Sequence, residues 1–105
     1  MNKISSFLLS AALALGAFQA QAGDVELGES IYTQSCAQCH GRSGAGSGSF
    51  PSVVGQEEDY IAKRLMQYRE GEMVGPNSGL MRAPTRNLSD EDIAALAAFI
   101  SSTFQ

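Results

Sequence analysis

Both cysteines and the only histidine of this 105-residue chain fall within five consecutive positions: Cys36, Cys39 and His40, in the stretch SCAQCHGRSG. No other feature constrains the fold as much, because whatever these three side chains hold must lie where the rest of the chain packs. The adjoining segment, residues 41–55 (GRSGAGSGSFPSVVG), has too many glycines for a helix. A second irregular stretch, residues 71–88, carries two prolines and three glycines. Loops of this length are uncommon in a small domain, and they need something central to pack against.

The N-terminus reads as a leader. Met1-Asn2-Lys3 is short and basic, an apolar small-residue run extends to Phe18, and Gln19-Ala20-Gln21-Ala22 ends in an A-x-A pattern. This is the layout of a secretory signal peptide, residues 1–22, cleaved after Ala22. A retained membrane anchor fits less well, because a span needs about 20 apolar residues. Residues 23–105 then form one domain, small enough to require a staple such as a disulfide, a metal or a cofactor. Without Lys3 the chain has six basic residues against eleven acidic ones, a formal charge of −5. An acidic balance of this kind argues against nucleic acid as a partner. No later run is long and apolar, so no membrane association is expected after cleavage.

Three segments have helical periodicity. Residues 25–35 place Leu27, Ile31 and Tyr32 on one face. Residues 56–70 open with Glu57, Glu58 and Asp59, acids suited to a helix N-terminus, and stop at Gly71. The third begins at Ser89 with Asp92 three positions on, an Asp variant of the capping box, and continues through Ile93, Leu96, Ala97, Ile100 and Phe104. Met66, inside the second helix, is expected in the apolar core. The fold class is all-α with long loops.

Four chemistries compete for the Cys-His cluster. A disulfide suits an exported protein, but a two-residue gap closes a ring too small to stabilise much. A thioredoxin-like redox pair requires a βαβ setting, and no strand pattern is present. Structural zinc requires four ligands, usually from a second Cys/His pair. Covalent c-type haem is the fourth, since C-x-x-C-H is its attachment signature. Two thiols at this spacing add to the two vinyl groups on one porphyrin edge, and the adjacent imidazole turns under the ring to reach the iron. Export is consistent with such attachment.

Three stretches carry a more specific resemblance: GESIYTQSCAQCHG, FPSVVGQEEDYIAKRL and LMRAPTRNLSDEDIAALAAFI. In this order they resemble the class I c-type cytochromes, particularly short bacterial monohaem proteins and the haem subunit of sulfide-oxidising flavocytochromes. The resemblance covers nearly all of residues 28–104. It implies a small cytochrome c fold of roughly three to five helices wrapped around one haem c. That haem would be covalently held through Cys36 and Cys39, with His40 as an axial ligand to iron.

A single histidine leaves the sixth iron position to another residue, and electron-transfer haems are commonly held by His and Met. The candidates are Met66, Met73 and Met81. The resemblance favours Met81, because the family's ligand lies about seven residues before the cap that opens the last helix. It also implies that the Pro51 carbonyl accepts the His40 ring N–H. Gly28 and Tyr32 should face Phe99 across a close helix crossing, and Tyr60, Arg64 and Tyr68 could reach a haem propionate. The implied function is a periplasmic one-electron carrier and not an enzyme. The alternative is the haem-bearing subunit of a larger oxidoreductase, such as a sulfur-compound-oxidising flavocytochrome. Its partners would be redox proteins, for example a flavoprotein dehydrogenase or a terminal oxidase or reductase. An enzyme or gas sensor with an open haem site is a third reading.

Overall fold

Asp24 starts the first helix by accepting the Leu27 N–H at 3.1 Å. A computed structural model of the chain describes residues 23–105; the expected leader lies outside the described residues. Helix α1 (Val25–Ile31) runs through a π turn (Tyr32–Cys36) into a short α2 (Ala37–His40), so the helical path extends beyond the expected end at residue 35. In the π turn the Ala37 N–H reaches back to the Tyr32 carbonyl. One extra residue in a turn rotates everything after it by roughly 100°. Tyr32 therefore points into the core while the residues beyond it are re-aimed.

Helix α3 (Glu58–Arg69) starts later than its periodicity implies, because Glu57 has extended dihedrals of φ −83° and ψ 151°. Glu58 and Asp59 occupy its first turn, as helix-dipole complementarity favours, and Gly71 comes just past its end at φ 84°. The next irregular stretch is more structured than its composition suggests. A 3-10 turn (Ser78–Met81) leads directly into a one-turn α4 (Arg82–Thr85). Pro84 fits there because N–H groups in a first turn have no intrahelical partner to lose. Helix α5 (Asp90–Thr103) opens on the expected capping box: Ser89 accepts the Asp92 N–H and Asp92 accepts the Ser89 N–H, each at 3.0 Å. Among the described residues there is no strand, only one isolated antiparallel bridge between Ser47 and Phe50. The fold is all-α.

The packing centres on α5, which is buried at Ile93 and from Ala95 to Ile100, and against which both α1 and α3 lie. Tyr32, Phe99 and Phe104 form an aromatic cluster with centroid separations of 5.1–5.6 Å. Leu27 departs from its expected inward position and is 37% exposed, while Gly28 and Tyr32 are buried against Phe99 as expected. At a crossing this close the two backbones nearly touch, so the contact point must be occupied by the smallest residue. Met66 also departs from expectation, at 42% exposed. The positions on α3 that face α5 are taken by Ile61 and Leu65. Arg69 ties the end of α3 to the start of α5 through the Leu88 carbonyl (3.2 Å) and Asp90 (2.8 Å). Both ends of the segment between the two helices are thus held.

A Cβ at position 28 would collide with the Ala95 carbonyl oxygen and lie 2.7 Å from the Phe99 Cβ. In an exposed helix, Gly→Ala gains about 1 kcal/mol of propensity. Overpacking at a closed contact costs about 1–3 kcal/mol, and here the colliding atom is backbone that cannot rotate away. With the cost in the upper part of that range, about 2–3 kcal/mol, Gly28→Ala is expected to lower stability by about 1–2 kcal/mol net, measured by urea denaturation. A variant as stable as the parent would show that the crossing is not close-packed.

Candidate functional site

The core has an open side. Tyr32, Ile61, Leu65, Leu96 and Ile100 belong to the buried hydrophobic cluster, yet each also lines a cavity of about 490 Å³. That volume is in the range of cofactor and small-molecule sites. One wall carries Cys36, Cys39 and His40, delivered by the π turn and α2. A second is the glycine-rich loop from Phe50 to Val53, and a third is the 3-10 turn and α4, which bring Leu80, Met81 and Pro84. Tyr60, Arg64 and Tyr68 line it from α3. Arg64 stacks over Tyr60 at 5.1 Å and donates to Gln67 at 2.6 Å.

The first loop is folded back on the cluster. The Gly46 N–H donates to the His40 carbonyl at 2.8 Å, and the Val53 N–H donates to the Gly44 carbonyl at 2.7 Å. Gly46 has φ 80°, and a Cβ there would meet the Phe50 carbonyl oxygen and Pro51. Only glycine allows the loop to double back this tightly. The fold brings the Pro51 carbonyl to 2.7 Å from His40 Nδ1. A carbonyl can only accept, so Nδ1 carries the proton and Nε2 keeps its lone pair. This is the tautomer that a metal-binding imidazole requires.

The cavity also discriminates among the methionines. Met81 is partly buried against the core and lines the cavity, while Met73 is 65% exposed and, like Met66, is not part of the wall. Cys36 and Cys39 are not joined to each other in a disulfide. Burial, with a smaller contribution from the Cys39 charge, pushes the Cys36 thiol up to about 11. As for zinc, among the described residues no three His, Cys, Asp or Glu side chains gather as a structural site requires. A haem fits the residues present: two thiols on the wall that carries an imidazole with a free nitrogen, a thioether on another wall, and apolar side chains between.

Two residues that sequence reasoning passed over also line the cavity, Ser78 and Thr85. Both are buried and hydrogen-bonded to backbone, Ser78 to the N–H groups of Val74 and Gly75 and Thr85 to the Met81 carbonyl. Their only sequence signal was polarity within a stretch otherwise read as irregular loop.

Comparison with known proteins gives a consistent set of likenesses. The family model for Cytochrome c matches residues 25–104. The chain is 40% identical over 82 residues to cytochrome c-554(548) of Halomonas halodenitrificans, covering 77% of this chain and 98% of that one. It is 34% identical over 71 residues to the thiosulfate dehydrogenase electron acceptor of Stutzerimonas stutzeri, covering 67% of this chain and 33% of that protein. Among solved structures, reduced recombinant cytochrome c4 from Pseudomonas stutzeri superposes with a TM-score of 0.66 at 31% identity, over 75% of this chain and 47% of that one. This chain therefore spans about half the length of that structure.

Tyr32 yields a test on the alkaline side. Its hydroxyl donates to the Gly41 carbonyl at 2.7 Å. Burial, and secondarily the Cys36 charge, push it up to about 12 from the ordinary value of 10.0. A raised value means that the folded state holds its proton more tightly than the unfolded chain does. The associated stability is fully present below about pH 10 and is lost as pH rises through about 12. Urea midpoints measured from pH 9 upward should show this decline in the parent and lack it in Tyr32→Phe. At neutral pH the same substitution should cost about 1 kcal/mol, since the Gly41 carbonyl loses its donor.

Proposed function

We propose, from the premise that this chain belongs to the cytochrome c family, that it is a periplasmic one-electron carrier with a single haem c. On this reading Cys36 and Cys39 tether the haem and His40 and Met81 bind its iron. Members of the family carry electrons on covalently attached haem, so the coarse function comes with membership. The finer assignment is supported by one observation above the others. A single cavity collects both thiols, the only imidazole and one methionine out of those described.

A haem bound there supplies a one-electron iron couple. The residues of this chain set its surroundings. Pro51 orients the His40 ring and holds the proton on Nδ1. Tyr32, Ile61, Leu65, Leu96 and Ile100 exclude water from one side and lower the local dielectric. Met81 brings a thioether, a weak neutral donor that favours the reduced metal more than a second imidazole would, so the potential should lie above that of a bis-His haem. If His40 and Met81 both bound the iron of such a haem, no position on it would be left for substrate, which supports a carrier over an enzyme. Among the described residues no helix is long and apolar enough to cross a membrane. Together with the leader-like N-terminus, this supports a periplasmic location. The likeness to an electron acceptor of thiosulfate dehydrogenase supports a dehydrogenase as donor, with this chain as a free shuttle or a bound haem subunit. Stoichiometric co-purification with a flavoprotein would favour the subunit.

The axial assignment is tested by absorption spectra of the purified protein in both oxidation states. The oxidised form should show a weak band at the red end, from iron–sulfur bonding. Met81→Ala should abolish that band, lower the midpoint potential and let carbon monoxide bind the reduced protein, while Met73→Ala should change none of these. If Met73→Ala removes the band, or if the parent binds carbon monoxide readily, the His40/Met81 pairing is wrong.

A further inference from the structure

We infer that Ser78 and Thr85 are positioning residues for Met81, two buried hydroxyls that hold the 74–85 segment closed so that the thioether stays directed into the cavity. The inference rests on the reading of Met81 as an axial ligand and adds what keeps it in place.

Tyrosine aside, Ser78 and Thr85 are the only polar side chains buried among the described residues, at 8% and 2% exposed. They stand three positions before Met81 and four after it, and both line the cavity. A buried hydroxyl in an otherwise apolar wall is costly unless it is hydrogen-bonded, and a methyl or isopropyl group would fill the space with no such cost. Both hydroxyls bond to the backbone of this one segment. Ser78 Oγ accepts the N–H groups of Val74 and Gly75 at 3.0 and 2.9 Å, closing the turn that leads into the 3-10 segment. Thr85 Oγ1 donates to the Met81 carbonyl at 2.6 Å, with a longer approach to the Arg82 carbonyl at 3.3 Å.

Threonine often bonds the carbonyl four residues back inside long helices, where little depends on it. Here α4 is a single turn, too short to hold itself by cooperative hydrogen bonding. Met81 itself sits at the junction of the 3-10 turn and α4, and its own backbone is the point that Thr85 secures. A thioether is a weak ligand, so its occupancy of iron is sensitive to the free energy of opening this segment. Each hydroxyl raises that opening free energy. Neither touches the metal.

The experiment is imidazole binding to the oxidised, haem-loaded protein at neutral pH, since imidazole gains the iron only when Met81 leaves it. Thr85→Val keeps the shape and removes the hydroxyl, and Ser78→Ala removes the acceptor of two N–H groups. Each should tighten imidazole binding about five- to tenfold, the worth of roughly one net hydrogen bond. Thr85→Ser should stay within about twofold of the parent. A rise of at least threefold in either Thr85→Val or Ser78→Ala, with Thr85→Ser near the parent, supports the inference. Smaller changes in both, or equal tightening in Thr85→Ser and Thr85→Val, overturn it. If Thr85→Val does not accumulate with haem bound, Ser78→Ala alone decides by the same threshold. Met81→Ala is measured in parallel: if it neither removes the red-end band nor tightens imidazole, the ligand reading itself has failed, a result distinct from failure of the two hydroxyls.

Discussion

Leu96 and Ile100 face two ways, and the rest of the fold depends on that. With Tyr32, Ile61 and Leu65 they belong to the buried cluster around α5, and the same five side chains line the cavity. A domain this small buries only a modest fraction of its surface. Only Ile93, Ala97, Phe99 and Phe104 of that cluster lie away from the cavity, so a group filling the cavity would complete the core. A covalently attached, largely apolar cofactor is well suited to that role, because it adds buried area and cannot dissociate on unfolding. Stability and function then rest on the same contacts, and a change in the cavity wall should register in both.

The helices and the loops divide the remaining work. The crossing of α1 over α5 at Gly28 is backbone against backbone, with the aromatic cluster beside it, and it fixes the direction of the path that ends at His40. The π turn inserted in that path rotates its C-terminal half, so a helix that buries Tyr32 can still present Cys36 and Cys39 to the cavity. The loops contribute the groups that must approach from other sides. One returns over the cluster to place the Pro51 carbonyl on His40. The other, anchored at its far end by Arg69 on the Leu88 carbonyl, carries Met81. On the proposed reading the two axial ligands are held very differently, one at the end of a continuous helical path and the other on a short segment secured by hydroxyls. The weaker ligand has the more elaborate support.

Much of this was legible in local sequence. The capping box at Ser89 and Asp92 and the stop at Gly71 depend on near neighbours alone, and the structure has both. The spacing of Cys36, Cys39 and His40 is also a local property, and the fold places all three on one wall. The failures were non-local. Leu27 fits a helical apolar face, but the face that is buried is decided by where α5 crosses, and that crossing, at the expected Gly28, leaves Leu27 outside. Met66 has the right period for a core residue and lies on the side of α3 away from α5. The stretch at 71–88 reads as loop from its prolines and glycines, yet it contains two short helical turns stabilised by Ser78 and Thr85, whose bonds form only when the segment is closed.

From the sequence by itself came the all-α class, the start of the last helix and the stop at Gly71, the grouping of the Cys-His cluster and the expectation that long loops enclose something. Each depends on residues within a few positions of one another, where propensity, capping and motif spacing act. Only the tertiary structure decided which methionine lines the cavity, where the π turn falls, and that five core side chains also line the cavity. Those are matters of which distant surfaces meet. Met73 and Met81 have the same chemistry and lie in the same segment, and they differ only in which of them the closed loop turns inward.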